Sequence, residues 1–356
     1  MKKYVVFSIF LGLVFMPYSA FAHVSGLCAN CHTMHASQTP WPDGSEPGEP
    51  AWGDPSKLPK KRLLAKAGSS ACVGCHSSAT SSTWYDLDGC KVPVVLYTGG
   101  EPSSYLAGGN FWWVSPDGDA DDTKGHNVFL HEGDQYFGPD GTNNAPGNTI
   151  LSCGGVENSC HQNLSEPFTG PDMGYNLPGK YGCEGCHLNV RHHANDHPNG
   201  QGGLVTTIDQ GWYRFLSGHW EYGVKGYEHG LWEAGQPSLA QGQANNHNEY
   251  LGSASGGLLN ATPTTTAFYG GCHLKFHTQK SGVSWIRHPS DAVIPDTAGS
   301  EYADTGGSSH LYDPLSPVAS PTVDGTPDGT VTPGTDFVMC LSCHRPHGSP
   351  YPDLLR

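Results

Sequence analysis

Cysteine and histidine recur together along this chain, and they recur in one spacing. CANCH (Cys28 to His32), CVGCH (Cys72 to His76), CEGCH (Cys183 to His187) and CLSCH (Cys340 to His344) each set two thiols three residues apart, with a histidine directly after the second. That order has a chemical reason. Two thiols at this separation can each add to one of the two vinyl groups of a haem, and the next residue then lies under the iron as its proximal ligand. A zinc site would join two Cys-x-x-Cys units and leave the following histidine without a role. A disulfide framework would explain the cysteines and not the histidines. The expected thioether positions are therefore Cys28, Cys31, Cys72, Cys75, Cys183, Cys186, Cys340 and Cys343, with His32, His76, His187 and His344 on iron.

Four of the 12 cysteines remain, Cys90, Cys153, Cys160 and Cys272. CGGVENSCH has six residues between Cys153 and Cys160 and ends in His161. A loop of that length can bulge and still present both thiols to one haem; otherwise Cys153 pairs elsewhere. FYGGCHLKFH has Tyr269 where a first cysteine would stand. Cys272 then makes a single thioether with His273 as ligand, with or without Cys90 as a second thiol, or Cys90 and Cys272 form a disulfide. The expected cofactor is haem c with its iron, about six copies and at least four.

The chain has 20 histidines, far more than six proximal ligands need. His35 follows His32 by three residues, His347 follows His344 by three, and His277 follows His273 by four. A second histidine so close cannot easily swing to the opposite face of the same haem. It can bind the iron of a neighbouring haem, which draws two macrocycles together. His126 in TKGHNV, His192 and His193 in NVRHH (His193 taken as the ligand), His288 in IRHPS and His23 complete the expected ligands. His310 is a further candidate, whereas His219, His229 and His247 read as solvated or supporting residues. With 5 Met in the chain, bis-His ligation is favoured over His/Met, and lower reduction potentials follow.

The elements that must position these groups are short. Hydrophobic residues make up 36% of the chain, against 48 Gly and 28 Pro, so long helices and a large aliphatic core are excluded. The 9 Trp, 16 Tyr and 12 Phe suit packing against a large apolar cofactor. The expected fold is a multihaem cytochrome c: a haem-packed, loop-rich chain with short helices and a few short strands. Helices of one or two turns should follow the Cys-x-x-Cys-His units. KVPVVLY (Lys91 to Tyr97) reads as a strand, and GLVTTI and YRFL as short apolar runs in strands and loops. Pro321 to Asp336 reads as a turn-rich linker. DGDADDTKG lacks the sixth-position glycine and terminal glutamate of an EF-hand and reads as an acidic surface loop.

Lys2 and Lys3, the apolar run Tyr4 to Met16 and the small-x-small site Ala20-Phe21-Ala22 mark residues 1–22 as a signal peptide. Residues 23–356 then form a single elongated domain with no transmembrane segment. The formal net charge of −15 disfavours nucleic acid and anionic lipid as partners.

With HVSGLCANCHTMH, TKGHNV, CHLKFH followed by RHPS, and CLSCHRPHGSPYPDLLR in view, the chain resembles the extracellular multihaem c-type cytochromes of metal-reducing bacteria, including the hexahaem type that polymerises into filaments. The similarity follows the motifs in order from His23 to His347. It implies electron export at or beyond the cell surface, with other redox proteins and extracellular electron acceptors as partners. It also implies a homopolymer in which His23, near the mature N-terminus, is donated to a haem of the neighbouring subunit. A monomeric periplasmic or outer-surface shuttle is the alternative, and a scaffold for other cytochromes is a third reading. A multihaem oxidoreductase would need an iron with an open position, yet the chain has no Cys-x-x-Cys-Lys and has histidine to spare for every iron, so it reads as a carrier rather than an enzyme.

Overall fold

A computed structural model describes residues 27, 32, 72–116, 118–126, 128, 183, 186–187, 190–194, 202–218, 222–233, 247–254, 259–273, 288–297, 310–327 and 329–356. Cys28, Cys31, Cys153, Cys160, His161, His23, His35 and His277, together with the leader 1–22, lie outside the described residues.

From the CVGCH turn the chain runs into β1 (Ser77–Ser78), then a hairpin of β2 (Trp84–Leu87) and β3 (Cys90–Pro93), then β4 (Leu96–Tyr97). Asp88 and Gly89 both have positive φ, 52° and 83°, which is what a two-residue hairpin turn needs to match the strand twist. The run Lys91 to Tyr97 is thus two strands rather than one. Its first half pairs antiparallel with β2, and its second half pairs parallel with β1. The break falls at Val94 and Val95, whose N–H groups donate to Thr83 and His76 carbonyls at 2.8 and 2.9 Å. FWW (Phe111–Trp113) is a single 3-10 turn capped by buried Asn110, whose Oδ1 accepts from the N–H groups of Trp112 and Tyr97. In the acidic loop beyond it, Lys124 Nζ lies 2.5 Å from Asp119 and 3.7 Å from Asp121.

A three-stranded antiparallel sheet follows, β5 (Gly202–Val205), β6 (Gly226–His229) and β7 (Glu249–Tyr250) in that spatial order. Tyr213–Phe215 is a 3-10 turn and not a strand, with Trp212, Arg214 and Phe215 all at positive φ. Two short helices carry Cys-His units: α1 (Thr265–Cys272), capped by the Thr264 hydroxyl, and α2 (Cys340–Cys343). Both helices end at the cysteine that precedes the histidine, so they form the motif rather than follow it. β8 (His310–Leu311) and β9 (Thr330–Val331) pair antiparallel, so the expected linker 321–336 contains a strand. Its Gly325 N–H also donates to Glu249 at 2.9 Å.

Among the described residues the buried apolar side chains form three small clusters, and two of them hold a Cys-x-x-Cys-His turn in place. Val73 of CVGCH packs with Leu96, Phe111 and Val128, with Cys183 against them. Leu341 of CLSCH packs with Tyr213, Tyr250, Phe337 and Met339, and Phe268 and Tyr269 of α1 close on the same cluster. The third cluster is Ile294, Tyr312 and Val331. Each buried side chain of this size stabilises by about 1.5–3 kcal/mol. Among the described residues no helix is long and apolar enough to cross a membrane.

Candidate haem-binding site

Each described Cys-x-x-Cys-His unit closes one helical turn. The histidine N–H donates to the carbonyl of the first cysteine: His76 to Cys72 at 2.9 Å, His187 to Cys183 at 2.9 Å and His344 to Cys340 at 3.1 Å. The turn brings the thiols and the imidazole to one side of the backbone. A backbone carbonyl then orients each ring. His76 Nδ1 lies 2.8 Å from Pro93 O, His187 Nδ1 3.0 Å from Arg214 O and His344 Nδ1 2.7 Å from Asp353 O. A carbonyl only accepts, so Nδ1 carries the proton and Nε2 keeps its lone pair for a metal. His126 is set the same way, with Nδ1 2.7 Å from Pro346 O.

The rings face one another in pairs. Among the described residues, His32 faces His193 at 6.3 Å between ring centroids, His76 faces His192 at 6.0 Å and His126 faces His273 at 6.0 Å. His187 faces His347 at 6.1 Å, and His288 faces His344 at 6.5 Å. A metal-bound imidazole nitrogen sits about 2 Å from the metal and about 1.2 Å from its own ring centre. Two imidazoles on opposite sides of one metal therefore have centroids about 6.4 Å apart. The five pairs match that separation, and each joins the histidine of a Cys-His unit to one from elsewhere. No group of three or more His, Cys, Asp or Glu able to hold a bare metal ion occurs among the described residues. Two axial nitrogens with no further protein donors suit a metal that brings its own equatorial ring, as haem iron does.

Burial prepares these rings as ligands. It lowers His187 to about 4 and His347 to about 3, and it lowers His126 and His288 as well, so all four are neutral near pH 7 with a lone pair available. His347 Nδ1 is buried with no hydrogen-bond partner among the described residues, and its ring leans on Phe111 at 4.7 Å. The Cys340 thiol is pushed up to about 11 by burial, the opposite of what a zinc thiolate or a catalytic nucleophile needs.

Several pairs also lie near one another. His192 and His193 are consecutive, which sets pair 32/193 beside pair 76/192. His187 lies within electrostatic range of His76, and His347 within range of His76 and His126. His126 in turn lies within range of His344. His193, His126, His288 and His347 each face a Cys-His histidine, and so does His192, which the sequence set aside in favour of its neighbour. His310 instead lies on β8 opposite Val331. His247 stacks on Tyr312 at 3.6 Å with Nδ1 2.6 Å from Asn248 O, and Tyr312 and Tyr250 both donate to buried Glu233. Cys90 is buried at the tip of the β2–β3 hairpin, opposite Leu87, with its thiol 4.0 Å from Lys91 O.

The turns and paired imidazoles fit a multihaem c-type cytochrome. Residues 333–356 match the family model described as a doubled CXXCH motif. The chain is 26% identical over 390 aligned residues to the C-type cytochrome OmcS of Geobacter sulfurreducens, covering 95% of this chain and 81% of that protein. Two solved structures are similar at lower levels: OmcS nanowires from Geobacter sulfurreducens (17% identity, TM-score 0.40) and the outer membrane cytochrome S filament from Geobacter sulfurreducens (18%, TM-score 0.43). Each match covers 94% of this chain and 84% of the other.

Proposed function

We propose that the chain carries electrons along a row of closely spaced, bis-His c-type haems, exporting them at or beyond the cell surface as a homopolymer. The observation that carries this reading is the set of five histidine pairs at 6.0–6.5 Å. Haem supplies the one-electron redox change. The chain supplies paired imidazoles, carbonyls that hold Nδ1–H of His76, His126, His187 and His344, and aromatic packing such as Phe111 against His347. With both axial positions filled by protein, no iron offers a place for substrate, which favours a carrier over an enzyme.

In this reading the haems number about six. Four attach at Cys-x-x-Cys-His units, a fifth at Cys153 and Cys160 with His161, and a sixth at the His126–His273 pair. The iron on His161 takes its second ligand from His23, His35 or His277, and a ligand from His23 of a neighbouring copy would join subunits. Residues 1–22 direct export, and 23–356 form one domain whose partners are other redox proteins and external acceptors. The relative at 26% identity shares its name, OmcS, with proteins solved as nanowires and filaments, which supports the polymer.

Low-temperature electron paramagnetic resonance on the haem-loaded protein tests the carrier reading. Only low-spin signals, with no carbon monoxide or nitrite binding, are expected; a high-spin haem that binds either would replace it with an oxidoreductase. Electron microscopy of protein recovered from outside the cell tests assembly. Regular filaments are expected, and dispersed monomers would make the protein a shuttle.

A further inference from the structure

We propose that residues 265–273 form a haem attachment site with a single thioether, in which Tyr269 takes the structural place of the first cysteine. The inference rests on the multihaem reading above and deepens it at one site. Tyr269 to His273 folds as the other motifs do: His273 N–H donates to Tyr269 O at 2.8 Å, against 2.9–3.1 Å for the corresponding bond to the first cysteine in three Cys-x-x-Cys-His turns. The turn ends an α-helix, as the CLSC turn is one. His273 also faces His126 at 6.0 Å, the separation seen at the full motifs, and His126 has its Nδ1–H on Pro346 O, leaving Nε2 for a metal. The backbone turn, the proximal imidazole and the distal imidazole are thus all present, and only one sulfur position is changed.

Tyr269 replaces a covalent tether with packing. Its ring meets Phe268 edge-on at 5.5 Å, and both lie against the cluster that holds Leu341 of α2. This fixes α1 beside the CLSCH turn. A side chain added at Gly271 would meet nothing within 4 Å, so the turn is open on that side.

The covalent step balances with one thiol. The Cys272 S–H adds across the C=C of one vinyl group: sulfur bonds to the carbon next to the macrocycle, and hydrogen goes to the terminal carbon. Nothing leaves, and no electrons are gained or lost overall. The second vinyl stays intact and conjugated with the ring, which shifts the visible bands of this haem to longer wavelength than those of its doubly attached neighbours.

The test is peptide mapping of the haem-loaded, denatured protein, combined with the pyridine haemochrome spectrum. A fragment containing residues 265–273 should carry one haem through Cys272 alone, and the reduced α band should show a long-wavelength shoulder. Tyr269→Cys should abolish that shoulder with no change in haem number, and Cys272→Ala should lower the number of covalent haems by one. A haem-free 265–273 fragment, a Cys90–Cys272 disulfide, or a haem joined to both Cys90 and Cys272 would overturn the inference. The four Cys-x-x-Cys-His fragments in the same digest separate the two claims. If they carry haem and residues 265–273 do not, only the single-thioether site falls; if none carries haem, the multihaem reading falls with it.

Discussion

His344 and His347 stand three residues apart yet face different partners, His288 and His187. Double substitutions separate this arrangement from one in which both bind the same iron. His187→Ala with His347→Ala should remove one low-spin haem, and His344→Ala with His347→Ala should remove two. Equal losses, counted by spin quantitation, would contradict the pairing. Arg345 sits between these two histidines, 3% exposed, with its guanidinium 4.6 Å over the Tyr105 ring and no carboxylate within ion-pair distance among the described residues. Burial pulls it down to about 10, still charged at neutral pH. A buried positive charge favours the reduced state of nearby iron, so Arg345→Gln should lower the potential of one or two haems. The expected shift is on the order of 1 kcal/mol, or about 40 mV for a one-electron couple. An unchanged redox titration would show that the charge is screened. The candidate proximal ligands were legible because the attachment chemistry fixes cysteine and histidine within five consecutive residues. The distal ones were not, because tertiary packing places them: nothing in NVRHH tells that both His192 and His193 face motif histidines.

Short elements aim these residues, and glycines allow the close approaches. Gly125 has an extended backbone that any residue adopts, but a Cβ there would lie 2.2 Å from Val114 Cγ2 and 3.1 Å from His347 O. Gly125→Ala must therefore displace His126 or the loop carrying His347. The expected result is a high-spin haem with an unchanged covalent haem count and a stability loss of about 1–3 kcal/mol. A fully low-spin spectrum would show that Val114 yields instead. Arg214 illustrates what the sequence hid. YRFL has the composition of a strand, but Arg214 stands at φ 53°, with its guanidinium 2.8 Å from Asn248 Oδ1 and 3.6 Å from Glu228. That conformation puts its carbonyl on His187 Nδ1. A local propensity for extended structure loses to a carbonyl that a ligand requires. The turn residues Asp88-Gly89 carried a hairpin signal that the sequence reading did not use, and the strand beyond them divides at Val94 to serve two partners.

At the scale of the whole molecule the three clusters are too small to stand alone. Ordering each residue costs about 1–2 kcal/mol of backbone entropy, and a chain with 36% hydrophobic residues returns little of it. Buried tyrosines carry part of the stability and set an alkaline limit. Burial raises Tyr213 to about 12 and lifts Tyr250 and Tyr312 well above their ordinary value. The unfolded chain releases these protons first, so their contribution is complete below about pH 10 and declines as pH climbs toward the folded values. For Tyr213 that is roughly 3 kcal/mol. Denaturant midpoints should hold level to pH 10 and then fall, and a flat profile to pH 12 would refute the assignment. Haem removal is the stronger test. The five histidine pairs join segments far apart in the chain, and haem held between them would tie those segments together. A chain produced without haem attachment should lack near-ultraviolet circular dichroism and lose its residual structure gradually in denaturant. The haem-loaded protein should unfold in one sharp transition. A cooperative transition in the haem-free chain would mean that the clusters suffice and that haem is bound by a fold already formed.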